Sequence, residues 1–355
     1  MSRAKPAGEA AALIIAGGRG TRFWPETRAD RPKPLFSLNG RTTLLADTIA
    51  RIQPLIAARR IFVVAAAVHQ RAFARALRGL IPPRNLILEP DGRGTAVAIA
   101  YGASTIKSRL GECIVAVFPA DHFIEPASGF RRTIADAIAL AQSRAALVVV
   151  GVAPARAETG YGYQQIGARV GRGFRVTRFV EKPPLARAAR MVGSRRYLWN
   201  AGIFVMSTRT LDAELTARAP ALARAVGEFN KRSKRELARL YRRLNFDAFD
   251  RAVVEKSSNV LGVRAGFRWF DVGSWDGLWD ALRGRSSNVL RGNVLALNSK
   301  GVLARASKRL MVVLGAQDLV IVDSDDALLV ASRQSSQDVR RVIEELERRG
   351  RGRYL

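Results

Sequence analysis

Three glycines, two arginines and a lysine sit close together near the start of this 355-residue chain: Gly17, Gly18, Arg19, Gly20 and Arg22, then Lys33 between Pro32 and Pro34. Glycine lets backbone N–H groups come close to an anion, and arginine offers a planar fork of donors matched to phosphate oxygens. A lysine on a segment stiffened by proline on both sides adds a compact positive charge. The spacing is neither G-x-x-x-x-G-K-[ST] nor G-x-G-x-x-G, so neither a Walker site nor a dinucleotide fingerprint is supported. An isolated GGRG is as readily a plain tight turn. What marks this one as a cradle for a nucleoside triphosphate is that Arg22, Trp24-Pro25 and the RPKP run follow within about twenty residues.

Carboxylates suited to a hard cation occur far apart, at Asp121 in Phe118-Pro-Ala-Asp-His122 and at Asp271 in Trp269-Phe-Asp-Val-Gly-Ser-Trp275. Two such groups beside phosphate oxygens can hold Mg²⁺, although each aspartate also reads as a turn or helix-cap residue. With His69, His122 and Cys113 as the whole imidazole and thiol inventory, a closed zinc site is not expected. Glu181-Lys182-Pro183 pairs an acceptor for hydroxyls with a cation for a phosphate, or else ends an exposed edge strand. Gly160 and Gly162 allow backbone to approach a sugar ring, Asn200 can bond its hydroxyls, and Tyr161 and Tyr163 are walls or core. The 89–95 loop, Glu89-Pro-Asp-Gly-Arg-Gly-Thr95, can read a purine edge, with Thr95 read first as the cap of the helix that follows.

These residues need a scaffold that brings distant segments together. Apolar runs at 12–16, 61–65, 86–88, 114–118 and 147–152 read as strands, and 43–52, 69–80, 95–108 and 130–142 as the helices between them. Such alternation predicts an α/β fold with a mainly parallel sheet flanked by helices, its ligands beyond the carboxyl ends of the strands. Residues 153–282 extend the sheet and build a lid, with a strand at 201–206 and helical segments at 210–224 and 234–244. After residue 287, short apolar runs between turns predict a small all-β domain of coils or hairpins, closed by a helix at 334–349 and a frayed basic tail. The expected domains are 1–285 and 286–355.

Composition sets outer bounds. The chain is 48% hydrophobic and carries 59 Lys plus Arg against 30 Asp plus Glu, a net charge of +29. Basic residues are spread along the whole chain and no nucleic-acid signature accompanies them, so a nucleic-acid partner is not indicated. No apolar run approaches the roughly 18 residues of a membrane helix, and a single cysteine fits a reducing cytoplasm.

Taken in order, GGRGTRFWP, RPKPL, EPDGRGTA, FPADH, GYGY, FVEKP, WNAGIF, FDRAVVEKS and WFDVGSWD resemble the sugar-nucleotidyltransferase family. Within it they are most similar to the branch that joins GTP to mannose 1-phosphate. GNVLALNSKGVLA and LVIVDSDDALLVA resemble that branch's small left-handed β-helix. The resemblance implies a Rossmann-like, GT-A-like catalytic domain and Mg²⁺ as cofactor. It implies that Ala16, Gly17, Gly18, Arg22 and Lys33 meet the triphosphate, that Glu89, Gly94 and Thr95 hold guanine, and that Asp121 and Asp271 hold the metal. Gly162, Glu181, Lys182, Asn200 and Gly202 would hold the sugar phosphate, with Arg22, Lys33 and Lys182 carrying the catalysis and Glu255 and Lys256 lining the region.

Four departures from the usual pattern are Pro34 for glutamine, Gly94 for asparagine, WNAG for WNSG and FDRAVVEK for an IDYAVMEK-like run. Gly94 bears most on base choice. Other pairings in the family, UTP or dTTP with glucose 1-phosphate or GTP with a heptose phosphate, are the near alternatives, and a silent nucleotide-sensing or RNA-binding relative is the distant one. The chain stops short of the isomerase domain that long members append, so isomerase activity is not expected, and the β-coil is a suitable surface for a homodimer.

Overall fold

Runs such as Ile61–Ala66 and Leu147–Val152 are apolar at every position, the pattern of strands buried on both faces rather than one. In the computed structural model, which describes residues 10–18, 20–38, 40–284 and 286–355, they are interior strands of a large sheet. Arg19 lies outside the described residues. The strands up to residue 271 are β1 (Ala11–Ile15), β2 (Ile61–Ala66), β3 (Leu86–Glu89), β4 (Ile114–Pro119), β5 (His122–Glu125), β6 (Leu147–Val152), β7 (Tyr163–Val170), β8 (Gly173–Val180), β9 (Tyr197–Ser207), β10 (Val260–Arg264) and β11 (Arg268–Asp271).

The described chain forms two compact units that interleave in sequence. Among the described residues, one comprises 10–17, Ile49–Ala120 and Ile124–Trp269, and the other Gly18–Thr48, Asp121–Phe123 and Phe270–Leu355. The first holds a nine-stranded sheet of order β3-β2-β1-β4-β9-β6-β10-β8-β7. It is parallel through β3-β2-β1-β4 and between β6 and β10, as the β-α alternation implies. It turns antiparallel where β9 slots between β4 and β6 and where β7 and β8 form a hairpin, whose short connection permits no other sense. Helix Thr95–Leu110 packs a run of small residues, among them Ala96, Ala100 and Ala103, into the core with Leu13, Phe62 and Val64.

Where helices depart from the sequence pattern, local chemistry explains it. The segment expected as one helix at 210–224 is two, Thr208–Arg218 and Pro220–Phe229, because proline has no N–H to continue a helix and a φ suited to starting one. Ser207 caps the first of them by accepting from the Thr210 N–H. The helix expected at 334–349 begins at Val339, after a 3₁₀ stretch Arg333–Asp338.

The second unit contains six further strands: β12 (Val289–Arg291), β13 (Val294–Leu297), β14 (Leu303–Arg305), β15 (Met311–Leu314), β16 (Leu319–Asp323) and β17 (Leu328–Ser332). β12, β14 and β16 stack in parallel, as do β13 and β15, so each turn of chain lies on the one before, and β17 closes the first sheet antiparallel. Val302, Ala304 and Val313 fill the space inside the coil. Side chains on the opposite face of the larger sheet, Val289, Leu303, Val320, Val322 and Leu329, share a core with Trp275, Leu278 and Trp279 and with Phe23, Trp24 and Phe36. The tail is anchored, not frayed: the Tyr354 carbonyl accepts from the Trp24 indole N–H and from Arg28, each at 2.8 Å.

Candidate active site

In the second unit, three segments remote in sequence meet at one ammonium. Lys33 Nζ donates to Asp121 Oδ2 at 2.6 Å and lies 3.7 Å from Asp271 Oδ1. Lys33 itself is only 6% exposed. Its backbone passes so close to Gly20 that a Cβ there would sit 2.3 Å from Lys33 Cβ, and Gly20 has φ +68°, where side chains are strained. Gly20 is therefore needed for Lys33 to take its position.

The segment bearing Lys33 is clamped from the β-coil. Arg305 donates to both carboxylate oxygens of Glu26 (2.6 and 3.0 Å) and to the carbonyls of Leu38 and Ser37 (2.9 and 3.0 Å). Its guanidinium also lies over the Phe36 ring. Phe23 stacks on Phe36 and meets Trp275 edge-on at 4.9 Å, while the Trp275 indole N–H donates to the Trp24 carbonyl. Buried bidentate bonds of this kind fix geometry as well as adding energy.

Burial works against the Lys33 charge, but Asp121 and Asp271 more than offset it and its pKa is raised. Burial likewise opposes the Asp121 charge, and Lys33 outweighs it, so that carboxyl is lowered. The two carboxylates keep 25% and 39% of their side chains exposed. Two partly exposed aspartate side chains converging on one point offer the oxygen donors that suit a hard divalent cation also bound to substrate phosphates. Arg22, on the 3₁₀ turn Thr21–Phe23, is exposed, as are Gly17 and Gly18, beside which there is open space. Ala16 is buried, and its N–H is already spent on the Val64 carbonyl.

A second cluster lies in the first unit. Lys182 Nζ pairs with Glu181 Oε1 at 2.8 Å, Asn200 Oδ1 accepts from the Gly202 N–H at 3.1 Å, and the Asn200 backbone N–H donates to the Gly162 carbonyl. A Cβ on Gly162 would lie 2.6 Å from Glu181 Oε2, so the glycine leaves room for that carboxylate. Lys182 has φ +49°, a region that costs a non-glycine residue on the order of 1 kcal/mol and occurs where position matters more than comfort. Glu255 Oε1 accepts a long 3.4 Å bond from the Glu181 N–H, whereas among the described residues no such bond places Lys256, which follows Glu255 on the 3₁₀ turn Val254–Lys256.

At the end of β3, Glu89 is buried and its Oε1 has no hydrogen-bond partner among the described residues. Burial, with Asp91 adding to it, pushes its pKa up to about 8. Thr95 does not cap its helix. Gly94, at φ +84°, occupies the cap position, and Thr95 Oγ1 accepts from the Phe249 N–H at 2.9 Å, tying the loop to the segment that follows residue 245.

A profile of the nucleotidyl transferase family matches residues 11–287. The chain belongs to that family. A second profile, the MannoseP isomerase/GMP-like beta-helix domain, matches residues 292–346 of this nucleotidyl transferase. It is 36% identical over 349 residues to the xanthan biosynthesis protein XanB of Xanthomonas campestris pv. campestris (strain B100), covering 96% of this chain and 73% of that one. It is also 36% identical over 356 residues to the mannose-1-phosphate guanylyltransferase of Salmonella muenchen, covering 96% and 74%. Among solved structures it is similar to the mannose-1-phosphate geranyltransferase of Thermus thermophilus, with a TM-score of 0.87 and 32% identity over 96% of this chain and 99% of that one.

Two polar residues of the nucleotidyl transferase escaped the sequence reading. Arg305 gave no signal, being one of the chain's many arginines, at the end of a short strand. Asp250 did have one, since it lies within the FDRAVVEKS run. It accepts from Asn200 Nδ2 at 2.5 Å, and burial together with the Glu181 charge pushes its pKa up to about 7.

A carboxyl raised above its ordinary 3.8 gives the folded state a proton the unfolded state lacks. Its contribution to stability is present below about pH 4 and is lost as pH rises toward 7. Asp250→Asn, which keeps the shape without the titration, is therefore expected to gain on wild type by up to about 4 kcal/mol between pH 4 and 7 and to hold that gain above. Chemical denaturation across this range checks it; a pH-independent difference contradicts it.

Proposed function

We propose that this nucleotidyl transferase joins GTP to mannose 1-phosphate, giving GDP-mannose and pyrophosphate. The observation that carries the reading is the buried Lys33 ammonium held by Asp121 and Asp271, the donor set a transferring triphosphate requires. The names of its relatives supply the guanine and mannose.

The sugar phosphate is ionised near neutral pH, so no side chain need act as nucleophile. One of its oxygens attacks the α-phosphorus of GTP in line; the new P–O bond forms as the bond to the bridging oxygen of the leaving pyrophosphate breaks, and that oxygen keeps the electron pair. Catalysis then rests on orientation and charge neutralisation. Arg22 and Lys33 neutralise the departing pyrophosphate, with the backbone of Gly17 and Gly18 close to the phosphates. Lys182 holds the acceptor phosphate, and Glu181, Asn200 and the backbone at Gly162 and Gly202 accept or donate hydrogen bonds to the sugar. The loop from Glu89 through Gly94 and Thr95 is the part of the chain that reads the base. Asp121 and Asp271 are the groups to hold Mg²⁺, which when bound supplies Lewis-acid neutralisation of phosphate oxygens.

Pyrophosphate release, measured for the four common nucleoside triphosphates against mannose, glucose and heptose 1-phosphates, tests the pairing. GTP with mannose 1-phosphate is expected to give the highest kcat/KM. A preference for UTP or dTTP with glucose 1-phosphate, or for GTP with a heptose phosphate, would reassign the substrates. Salt-sensitive RNA binding without turnover would remove the enzymatic reading altogether.

A further inference from the structure

Across β8, β7 and β9, Arg178, Gln165 and Tyr197 stand abreast in register, so their side chains leave the sheet on one face. Their neighbours Phe179, Gln164 and Leu198 pair in the same way on the other face and are buried there. Phe179 reaches Gly162 on that other face, beside Glu181. Arg178 and Tyr197 therefore point away from the sugar-phosphate cluster. Helix Leu185–Gly193 supplies Arg187, Arg190 and Met191 to their side, and together these residues line a cavity of about 300 Å³. Arg187 and Arg190, three apart, share one side of that helix, and Met191 is buried.

None of the three guanidinium groups has a carboxylate or carbonyl partner among the described residues, and neither does the Tyr197 hydroxyl. Other bases of the same unit do: Arg172 pairs with Asp136 and Arg156 with Glu158. An unpaired arginine ordinarily reaches into water. Three that border one cavity repel one another and leave their donor forks open.

We propose that this cavity binds a small phosphorylated molecule, its phosphate held by Arg178, Arg187 and Arg190 and its short carbon body resting on Tyr197 and Met191. Three forks are more than the two oxygens of one carboxylate can accept, whereas a phosphate presents three oxygens and about two negative charges. The volume is at the lower end of ligand pockets, which suits a compact organic phosphate. A nucleic acid would instead need a basic groove that follows its backbone from one nucleotide to the next.

Phenylglyoxal, which modifies accessible guanidinium groups, tests this on the wild-type chain when the modified positions are read by mass spectrometry. Glycerol 3-phosphate at about 10 mM is expected to slow modification of Arg178, Arg187 and Arg190 roughly tenfold, the scale of one charged hydrogen bond. Arg71 and Arg75, exposed on the helix Gln70–Ala76, should react at an unchanged rate, and glycerol should protect nothing. Because the readout is by position, phosphate bound near Lys33 or Lys182 does not enter it, and the outcome is independent of the reaction proposed above. Arg187→Gln with Arg190→Gln is expected to raise the concentration that protects Arg178 about tenfold or more, with unchanged circular dichroism. No protection at the three arginines would overturn the proposal. So would equal protection at Arg71 and Arg75, which would reduce the effect to general attraction to a basic surface, or better protection by a short single-stranded RNA at equal phosphate concentration. Should the double variant fail to fold, Arg190→Gln alone, at an exposed position, provides the same reading.

Discussion

Lys33→Ala should lower turnover by about 10²-fold or more, the loss that follows removal of one charge-stabilising donor from a preorganised site. In free energy that is roughly 2.7 kcal/mol of transition-state stabilisation. The effect should fall on kcat more than on the KM for GTP, because in the proposed reaction the charge facing Lys33 is largest as pyrophosphate departs. Removing it also leaves Asp121 and Asp271 facing each other without the ammonium between them. Lys33→Met, which keeps most of the stem that packs near the Phe23 ring, separates lost charge from lost packing. Steady-state kinetics on folded protein decides the matter, and a rate within a few-fold of wild type for either variant would remove Lys33 from the mechanism.

Asp121→Asn should be comparably damaging, with a different signature. The amide keeps the size of the carboxylate and one acceptor oxygen but loses the charge that both Lys33 and a divalent cation require. Turnover is expected to fall on the order of 10²-fold, and the Mg²⁺ concentration giving half-maximal rate to rise roughly tenfold or more, as happens when metal-site contacts are weakened. Chelating divalent ions should abolish turnover in wild type and variant alike. A Mg²⁺ titration of pyrophosphate release provides the measurement. An unshifted midpoint would mean that Asp121 serves only to hold Lys33.

The apolar strands were legible in the sequence because burial leaves a mark on residue type, and Asp121 and Asp271 stood out there as carboxylates at the ends of expected strands. β6, Leu147–Val152, runs over the same residues in sequence and structure, since a strand covered on both faces has no polar position to blur its ends. The convergence of Lys33, Asp121 and Asp271 could be anticipated only through motif order, as no local pattern encodes contacts across 88 or more residues.

Arg305 illustrates what stays hidden. In a chain with 59 basic residues an arginine carries no information until its neighbours are known, and its partners Glu26, Ser37 and Leu38 lie far off in sequence. The anchoring of the tail was missed for a similar reason: the Tyr354 carbonyl is a backbone group, and nothing in the sequence marks it as an acceptor for Trp24. Thr95 was misread through a local rule, because a threonine at a helix start resembles a cap whether or not its hydroxyl is engaged elsewhere.

The most direct test of the account is to mix the purified chain with Mg²⁺, GTP and mannose 1-phosphate and to quantify both products by chromatography. The account predicts GDP-mannose and pyrophosphate in equal amounts, with neither formed when mannose 1-phosphate is left out. Failure to form GDP-mannose, or pyrophosphate release that proceeds without the sugar phosphate, would contradict it.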